Sequence, residues 1–336
     1  MKRAVWTEGG LEVAEGEPPP LPEGWVRVQV AACGICGSDL HIWHGGVDQP
    51  LATRPVGTTP GHEVAGTVVE ATQAGLPEAV FAVNPNVTCG RCDYCVTGRP
   101  NLCRRGGFGI GLGRPGGLAE YVDAPVANLF PVADTVSPVA ASLTEPLAVA
   151  LRGVSLARLA QDSAVLVLGG GTIGLLAALL ARDRASTVAV TTRHAHQRQL
   201  ASSIGATPID PDEAVAWGRE HRPDVVIETV GGQADTVGVA VRACARGGRI
   251  VVLGVFGTVP VDMGQVMFKE LELIGSFCYG TGRRGQEFAA AANLLPRYAA
   301  ELDGLQTHRF ALDDVESAFS AAADKGTGSV KVTVVP

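Results

Sequence analysis

Two domains of α/β class are predicted, one mainly β and one built on a doubly wound parallel sheet. Three observations carry this. The chain has 336 residues, beyond the ~250–300 at which a single core stops growing. Up to about residue 145 it reads as short β-type runs broken by Gly and Pro, among them VRVQVAAC, EVAGTVVE, AVFAVNPNV and AEYVDAP. From about 147 to 280 strand-like and helix-like runs alternate: AVLVLG, GTIGLLAALLARD, TVAVTTR, QRQLASSIGA, DVVIETVG and RIVVLGVFG. Such alternation means βαβ units and a parallel sheet. Beyond 281 two helical stretches, GQEFAAAANLL and DDVESAFSAAAD, lead to a last strand, VKVTVV.

Composition narrows the function classes. Hydrophobic residues are 46% and charged residues 18%, as in globular chains. Net charge is −7 without a basic run, so neither nucleic acid nor an anionic membrane is expected as a partner. Eight cysteines are too few for a disulfide scaffold, and six of them lie between 33 and 103. That grouping points to metal or redox work in a reducing compartment, hence a cytoplasmic location. The start, MKRAVWTEGG, has no apolar run behind its basic residues, so no signal peptide is expected. Ala164–Ala181 holds 18 residues of which only Thr172 is polar, the lower limit for a membrane span. Three consecutive glycines in its middle favour a buried strand, a tight turn and a buried helix instead.

CGRCDYCVTGRPNLC places Cys89, Cys92, Cys95 and Cys103 at C-x2-C-x2-C-x7-C. Four thiolates at short spacing suit structural zinc, a closed tetrahedral site that does no catalysis. The rival is an iron–sulfur cluster, but that run wants a Cys-Pro soon after the third cysteine. A catalytic zinc needs an open position and mixed ligands. Candidates are Cys36 in CGICGSDLH, His62 and Glu63 in PGHEVAG, and Glu145 in LTEPLA. Glu145 also ends a Ser142-x-x-Glu capping-box pattern, and Cys33 with Cys36 could be a redox pair, though no βαβ pattern surrounds them.

VLVLGGGTIG carries G-x-G-x-x-G at Gly169, Gly171 and Gly174, with Thr172 and Ile173 between the last two. It follows a strand-like run and opens a helix-like one, the context in which backbone approaches a pyrophosphate. GLGRPG at 111–116 fits the same pattern but holds a proline and opens no helix. A ribose-binding acid is expected about 20 residues on. Thr192 stands there, between Thr191 and Arg193. An acid would repel a 2′-phosphate, whereas two hydroxyls and a guanidinium suit one, so NADP(H) is expected ahead of NAD(H).

In order and spacing, CGIC, GHE, the cysteine quartet, the EP glutamate and the glycine-rich turn resemble the zinc-dependent medium-chain alcohol and polyol dehydrogenases. The resemblance implies a GroES-like catalytic domain over 1–147, completed by 281–336, and a Rossmann domain over 148–280. It implies that Cys36, His62 and Glu63 hold catalytic zinc, with Glu145 bound directly or through water. Zinc would stabilise the charge that develops as the alcohol loses its proton. Ser38 and His41 match the family's proton relay, Cys33 reads as a small packed residue, and Asp39 and His44 as structural or solvent-facing. Val230, Leu253, Gly254 and Val255 would line the cofactor cleft, and Lys331 matches a basic residue that reaches the pyrophosphate. Trp43, Phe108, Phe277 and Tyr279 are candidate pocket walls. GSFCYG resembles the sorbitol-dehydrogenase segment in which an arginine precedes the tyrosine; here Cys278 takes that place, which speaks against a polyol. The expected activity is hydride transfer between NADP(H) and a secondary or cyclic alcohol or its carbonyl, in a homodimer or homotetramer. A C=C or C=N reductase of the same fold, or an NADPH-binding regulator without turnover, are the alternatives.

Overall fold

The computed structural model describes residues 1–45, 55–73, 75–106, 109–282 and 285–336. Phe108 lies outside the described residues. Two compact units are present, Met1–Glu145 with Gly280–Pro336, and Pro146–Tyr279. A hairpin of Lys2–Trp6 and Leu11–Glu15 opens the first unit.

The strands and helix that follow are β1 (Trp25–Gly34), α1 (Gly37–Trp43), β2 (Glu63–Ala71), β3 (Val80–Val83), β4 (Tyr121–Pro125) and β5 (Leu129–Pro131). Helix α2 (Thr144–Ala157) begins at the boundary. β1 is central, flanked by β2 and β4, and is buried along most of its length. A charged residue survives there because its donors are met: Arg27 pairs with Asp123 at 2.9 Å and Glu70 at 2.7 Å.

The second unit runs β6 (Ala164–Leu168), α3 (Thr172–Arg182), β7 (Thr187–Thr191), α4 (Ala195–Ser203), β8 (Thr207–Ile209), α5 (Ala214–His221), β9 (Val225–Glu228), α6 (Thr236–Ala243), β10 (Arg249–Val252), α7 (Met263–Phe268) and β11 (Glu272–Gly275). All pairings in its six-stranded sheet are parallel, in the order β8-β7-β6-β9-β10-β11. That is the doubly wound order, with the reversal between β6 and β9, where such sheets bind ligands. The apolar stretch 164–181 is a buried strand, a turn and a largely buried helix. No helix among the described residues is long and apolar enough to cross a membrane.

The chain then returns to the first unit with β12 (Gln306–Ala311), α8 (Val315–Ala323) and β13 (Lys331–Val335). β13 pairs antiparallel with β1, and β12 lies parallel outside it. β12 has no counterpart among the strands read from the sequence. Trp6 and Phe319 meet edge to face at 5.7 Å in this unit's core. The observed classes are those expected, a mainly β part and a doubly wound sheet.

Candidate active site

The end of β1 and the start of β2 build the metal-ligating group. Gly34 faces Glu63 across the two strands. A Cβ at Gly34 would overlap the Glu63 carboxylate, so only glycine leaves room for that acid. Cys36 is the N-cap of α1, and its backbone N–H donates to Asp39 Oδ2 at 2.9 Å. Ligand atoms of Cys36, His62 and Glu63 all lie within 4.8 Å of one another. Three sequence-distant residues thus form one donor set of S, N and O, the mixed type that zinc accepts.

Asp39 was read as structural or solvent-facing, but it is fully buried, with Oδ1 3.6 Å from His62 Nδ1. Neither of those two atoms has a hydrogen-bond partner, and small movements would join them. A carboxylate behind a ligating imidazole holds its ring and tautomer. The available signal was an acid three residues after Cys36 at a helix start, where it also closes the capping box. Burial works against the His62 imidazolium, yet Asp39 and Cys36 outweigh it and push its pKa well above the ordinary value. Such surroundings favour a cation, a zinc ion included.

Glu145 lies in the first turn of α2 and is buried. Burial pushes its carboxyl up to about 7, Glu63 and Asp39 add to that, and His62 and Lys331 oppose it. It is near the group by charge without belonging to the set of mutually close ligand atoms. Its capping-box reading does not hold, because the Ser142 hydroxyl donates to the Val139 carbonyl at 2.7 Å.

Lys331 requires a correction. It was expected to reach a pyrophosphate, but its buried ammonium donates to Glu63 Oε1 and Oε2 at 2.8 and 2.6 Å and to Ile35 O at 2.9 Å. All three protons are used inside the first unit. Burial disfavours the charge, but Glu63 and Cys36 more than compensate and raise its pKa.

Ser38 and His41 lie three residues apart on α1, neighbours on one helix face. Ser38 Oγ is buried without a hydrogen-bond partner. His41 is half-buried, and burial, then the charge of His44, lowers its pKa. Cys33 is fully buried, and burial raises its thiol pKa. Trp43 packs on Phe319 at 5.9 Å and His44 at 4.8 Å. In the second unit, Phe277 is exposed and Tyr279 buried.

The glycine run at 111–116 serves this site in another way. Gly116 N–H donates to Thr59 O, and Gly117 N–H to Gly61 O, at 2.8 Å each. A Cβ at Gly111 or Gly116 would overlap Gly61 O. The loop therefore buttresses the backbone just before His62.

Cys89, Cys92, Cys95 and Cys103 form a second group with ligand atoms within 4.8 Å of one another. Sulfur–sulfur distances are 3.5 Å for Cys92–Cys95 and Cys89–Cys103 and 3.9 Å for Cys92–Cys103. Zinc at ~2.3 Å from four tetrahedral sulfurs puts them ~3.8 Å apart, so the quartet fits. Burial opposes the Cys103 thiolate, but N–H donors at Cys89 and Arg105 hold its pKa down to about 6. Replacing Cys92 by Ser is expected to release metal from this group and lower Tm by roughly 5–10 °C, because a closed site contributes folding energy. Differential scanning fluorimetry with zinc analysis checks this; an unchanged Tm would show that the lobe stands without metal.

In the second unit the glycine-rich turn links β6 to α3. Gly169 has φ +113°, a conformation that glycine adopts readily. Its N–H donates to Thr191 Oγ1 at 2.8 Å. A Cβ at Gly174 would overlap Gly169 O, whereas at Gly171, the N-cap of α3, nothing lies within 4 Å. Open space beside the uncapped N–H groups of an 11-residue helix suits a pyrophosphate.

The two hydroxyls expected to meet a 2′-phosphate belong to buried side chains. Thr191 Oγ1 accepts from Gly169, and Thr192 is fully buried with its hydroxyl 3.5 Å from Ile209 O. Thr192 therefore needs correcting as a cofactor contact. Arg193 is exposed at the end of β7, its backbone N–H donating to Gln197 Oε1 at 3.1 Å. Val230 and Val255 are exposed at the carboxyl ends of β9 and β10, and Leu253 packs over Gly153. Glu228, the last residue of β9, was not anticipated. Its buried carboxylate accepts from Val230 N, Gly231 N and Thr236 Oγ1. A charged residue closing an otherwise apolar strand was the signal for it.

Known proteins resemble the chain along its length. Residues 22–134 match the alcohol dehydrogenase GroES-like domain and residues 172–296 the zinc-binding dehydrogenase domain. L-Threonine 3-dehydrogenase of Pectobacterium atrosepticum is 30% identical over 96% of this chain and 91% of its own length. L-Arabinitol 4-dehydrogenase of Aureobasidium melanogenum is 32% identical over 96% of this chain and 93% of its own. A solved structure from Sinorhizobium meliloti 1021, a candidate zinc-binding dehydrogenase bound to NADP, is 38% identical with a TM-score of 0.86, covering 100% of this chain and 99% of that one.

Proposed function

This chain belongs to the zinc-binding alcohol dehydrogenase family of oxidoreductases, and from that membership we propose that it transfers hydride between NADP(H) and a secondary or cyclic alcohol or its carbonyl. The convergence of Cys36, His62 and Glu63 beside buried Asp39 carries the reading. These residues, with Glu145, would hold zinc, and the cysteine quartet a second, structural ion. When bound, zinc supplies the Lewis acidity that makes an alcohol proton easy to lose, and the nicotinamide supplies the hydride acceptor. Asp39 orients His62. Lys331 neutralises Glu63 and so limits charge repulsion among Asp39, Glu63 and Glu145. Ser38 takes the substrate proton and His41 passes it outward, as a neutral imidazole can.

For the substrate, two features support a secondary alcohol. Threonine C3 and arabinitol C4, which name the two relatives above, each bear a secondary hydroxyl. Cys278 offers no guanidinium for a row of hydroxyls, which favours less polar substrates than polyols. Turnover of a panel of secondary, cyclic and polyol alcohols with both cofactors tests this. Greatest kcat/KM on a polyol would overturn the substrate reading, and activity confined to C=C or C=N reduction would overturn the reaction.

For the cofactor, Arg193 takes over the role first shared with the two threonines. A charged hydrogen bond contributes roughly 1.5–3 kcal/mol, about a ten- to hundredfold bias. Arg193→Ala is expected to raise the Kd for NADPH at least about tenfold and leave that for NADH nearly unchanged. Equal loss for both, or a wild-type preference for NADH, would refute the assignment. A relative at 38% identity holds NADP.

A homo-oligomer completes the proposal. β11 is an edge strand, and Met263, Met267 and Phe268 on α7, the helix that precedes it in the chain, are more than half exposed. An open strand edge can pair with its own copy about a two-fold axis, and exposed apolar side chains gain from being covered. Light scattering should give at least a dimer mass.

A further inference from the structure

Glu228 ends a strand whose other residues, Val225, Val226 and Ile227, are all buried apolar side chains. Its own side chain is fully buried. A carboxylate so placed survives only if donors meet it. Oε1 takes three: Val230 N–H at 2.7 Å, Gly231 N–H at 3.1 Å and the Thr236 hydroxyl at 2.8 Å. Burial pushes its pKa up, while these donors and the Gly254 N–H pull against that. Oε2 has no hydrogen-bond partner, and a Cβ at Gly254 would overlap it.

The same residue also holds the neighbouring strand end through its main chain. Leu253 N–H and Gly254 N–H donate to Glu228 O at 2.8 and 3.3 Å. Gly232 N–H donates to Val255 O at 2.7 Å, locking the two loops together. Gly231, at φ +69°, packs so closely on Val255 that a Cβ would collide with its backbone. The Glu228 carboxylate therefore holds the loop after β9, its main-chain carbonyl holds the main chain after β10, and the Gly232–Val255 bond ties the second segment to the first. Those loops present Val230 and Val255, 45% and 39% exposed, at the carboxyl edge of the sheet. Arg193 lies on another strand end; the glycine-rich turn meets the loop after β9 through Thr229, whose hydroxyl donates to Leu168 O at 2.8 Å, and not through the Glu228 carboxylate.

We propose that Glu228 is the positioning residue for the nicotinamide half of the dinucleotide, setting the loops that carry Val230 and Leu253–Val255 while leaving the adenine half untouched. The proposal rests on the reading that this sheet edge binds NADP(H). An ordinary strand end would leave its N–H groups to water and the loops free to drift. A buried carboxylate fixes them before the ligand arrives, which lowers the ordering cost of binding.

The test separates the two halves of the ligand by calorimetric titration of the zinc-replete protein. NADPH carries both halves, and 2′,5′-ADP only the adenine side. In Glu228→Ala, 2′,5′-ADP should bind within about twofold of wild type, and NADPH about tenfold or more weakly, the change expected for one charged hydrogen-bond set. Glu228→Gln keeps the shape and one acceptor but turns an amide N–H towards Gly254 N–H, so its loss should be intermediate and its Tm close to wild type. NADPH binding unchanged in both variants overturns the proposal. Parallel loss of both ligands with a lowered Tm overturns it too, leaving Glu228 a purely structural acid. If wild type binds neither ligand, the dinucleotide reading itself fails; if wild type binds both and the two variants bind them equally well, that reading stands and the role of Glu228 falls alone.

Discussion

Replacing Cys36 by Ser is expected to leave a folded protein that keeps one zinc ion per chain and has no measurable dehydrogenase turnover. Wild type should carry about two, one for each ligand group. The thiolate is the softest donor in the Cys36–His62–Glu63 set, and a hydroxyl stays protonated where a thiol would give up its proton. Without it, His62 and Glu63 remain, and Lys331 already holds both oxygens of Glu63. The fold should survive, because Cys36 is an N-cap with extended backbone, φ −98° and ψ 159°, a position that favours serine. Zinc content by mass spectrometry, circular dichroism and an alcohol-oxidation assay decide the matter. A wild type with one zinc, retained in Cys36→Ser, would sink the two-site reading.

His41→Ala is expected to slow alcohol oxidation at neutral pH by about a hundredfold, within the ~10²–10⁴ range for a positioned proton transfer. The sign of the pH effect follows from the burial that lowers the His41 pKa below its ordinary value of 6.5. His41 is therefore neutral at pH 7 and able to accept a proton. Wild-type activity should fall only as pH drops through that lowered pKa. The variant should lose this acid limb and recover partly at high pH or with added imidazole. Full activity of the variant from pH 6 to 9 would remove His41 from the relay and favour the C=C or C=N reductase.

Much of the site was legible because its chemistry is encoded over short spans. Cys89 to Cys103 fit within 15 residues, so a metal can bridge them with little loop-closure cost. The turn at Gly169–Gly174 was legible for a steric reason: only glycine tolerates φ +113° or the contact of position 174 with Gly169 O. Strand and helix periods likewise announced a doubly wound sheet. Resemblance to a family named the scattered metal ligands, which no spacing argument joins.

What remained hidden was decided between residues far apart. Lys331 and Glu63 are 268 positions apart, and only the pairing of β13 with β1 places a buried ammonium against that carboxylate. Asp39 is a polar residue on a short helix in sequence, yet the fold buries it beside His62. Thr192 stands where a ribose contact is expected, but packing against Gly170 and Ile209 turns it inward and leaves Arg193 outside. Glu228 reads as a charge on a strand until two loops close over it. In each case the sequence by itself determined which groups are present and which turns they can make. Which of them lose their water and which partner they meet was settled by the tertiary structure alone, because burial and close approach depend on neighbours that local sequence does not contain.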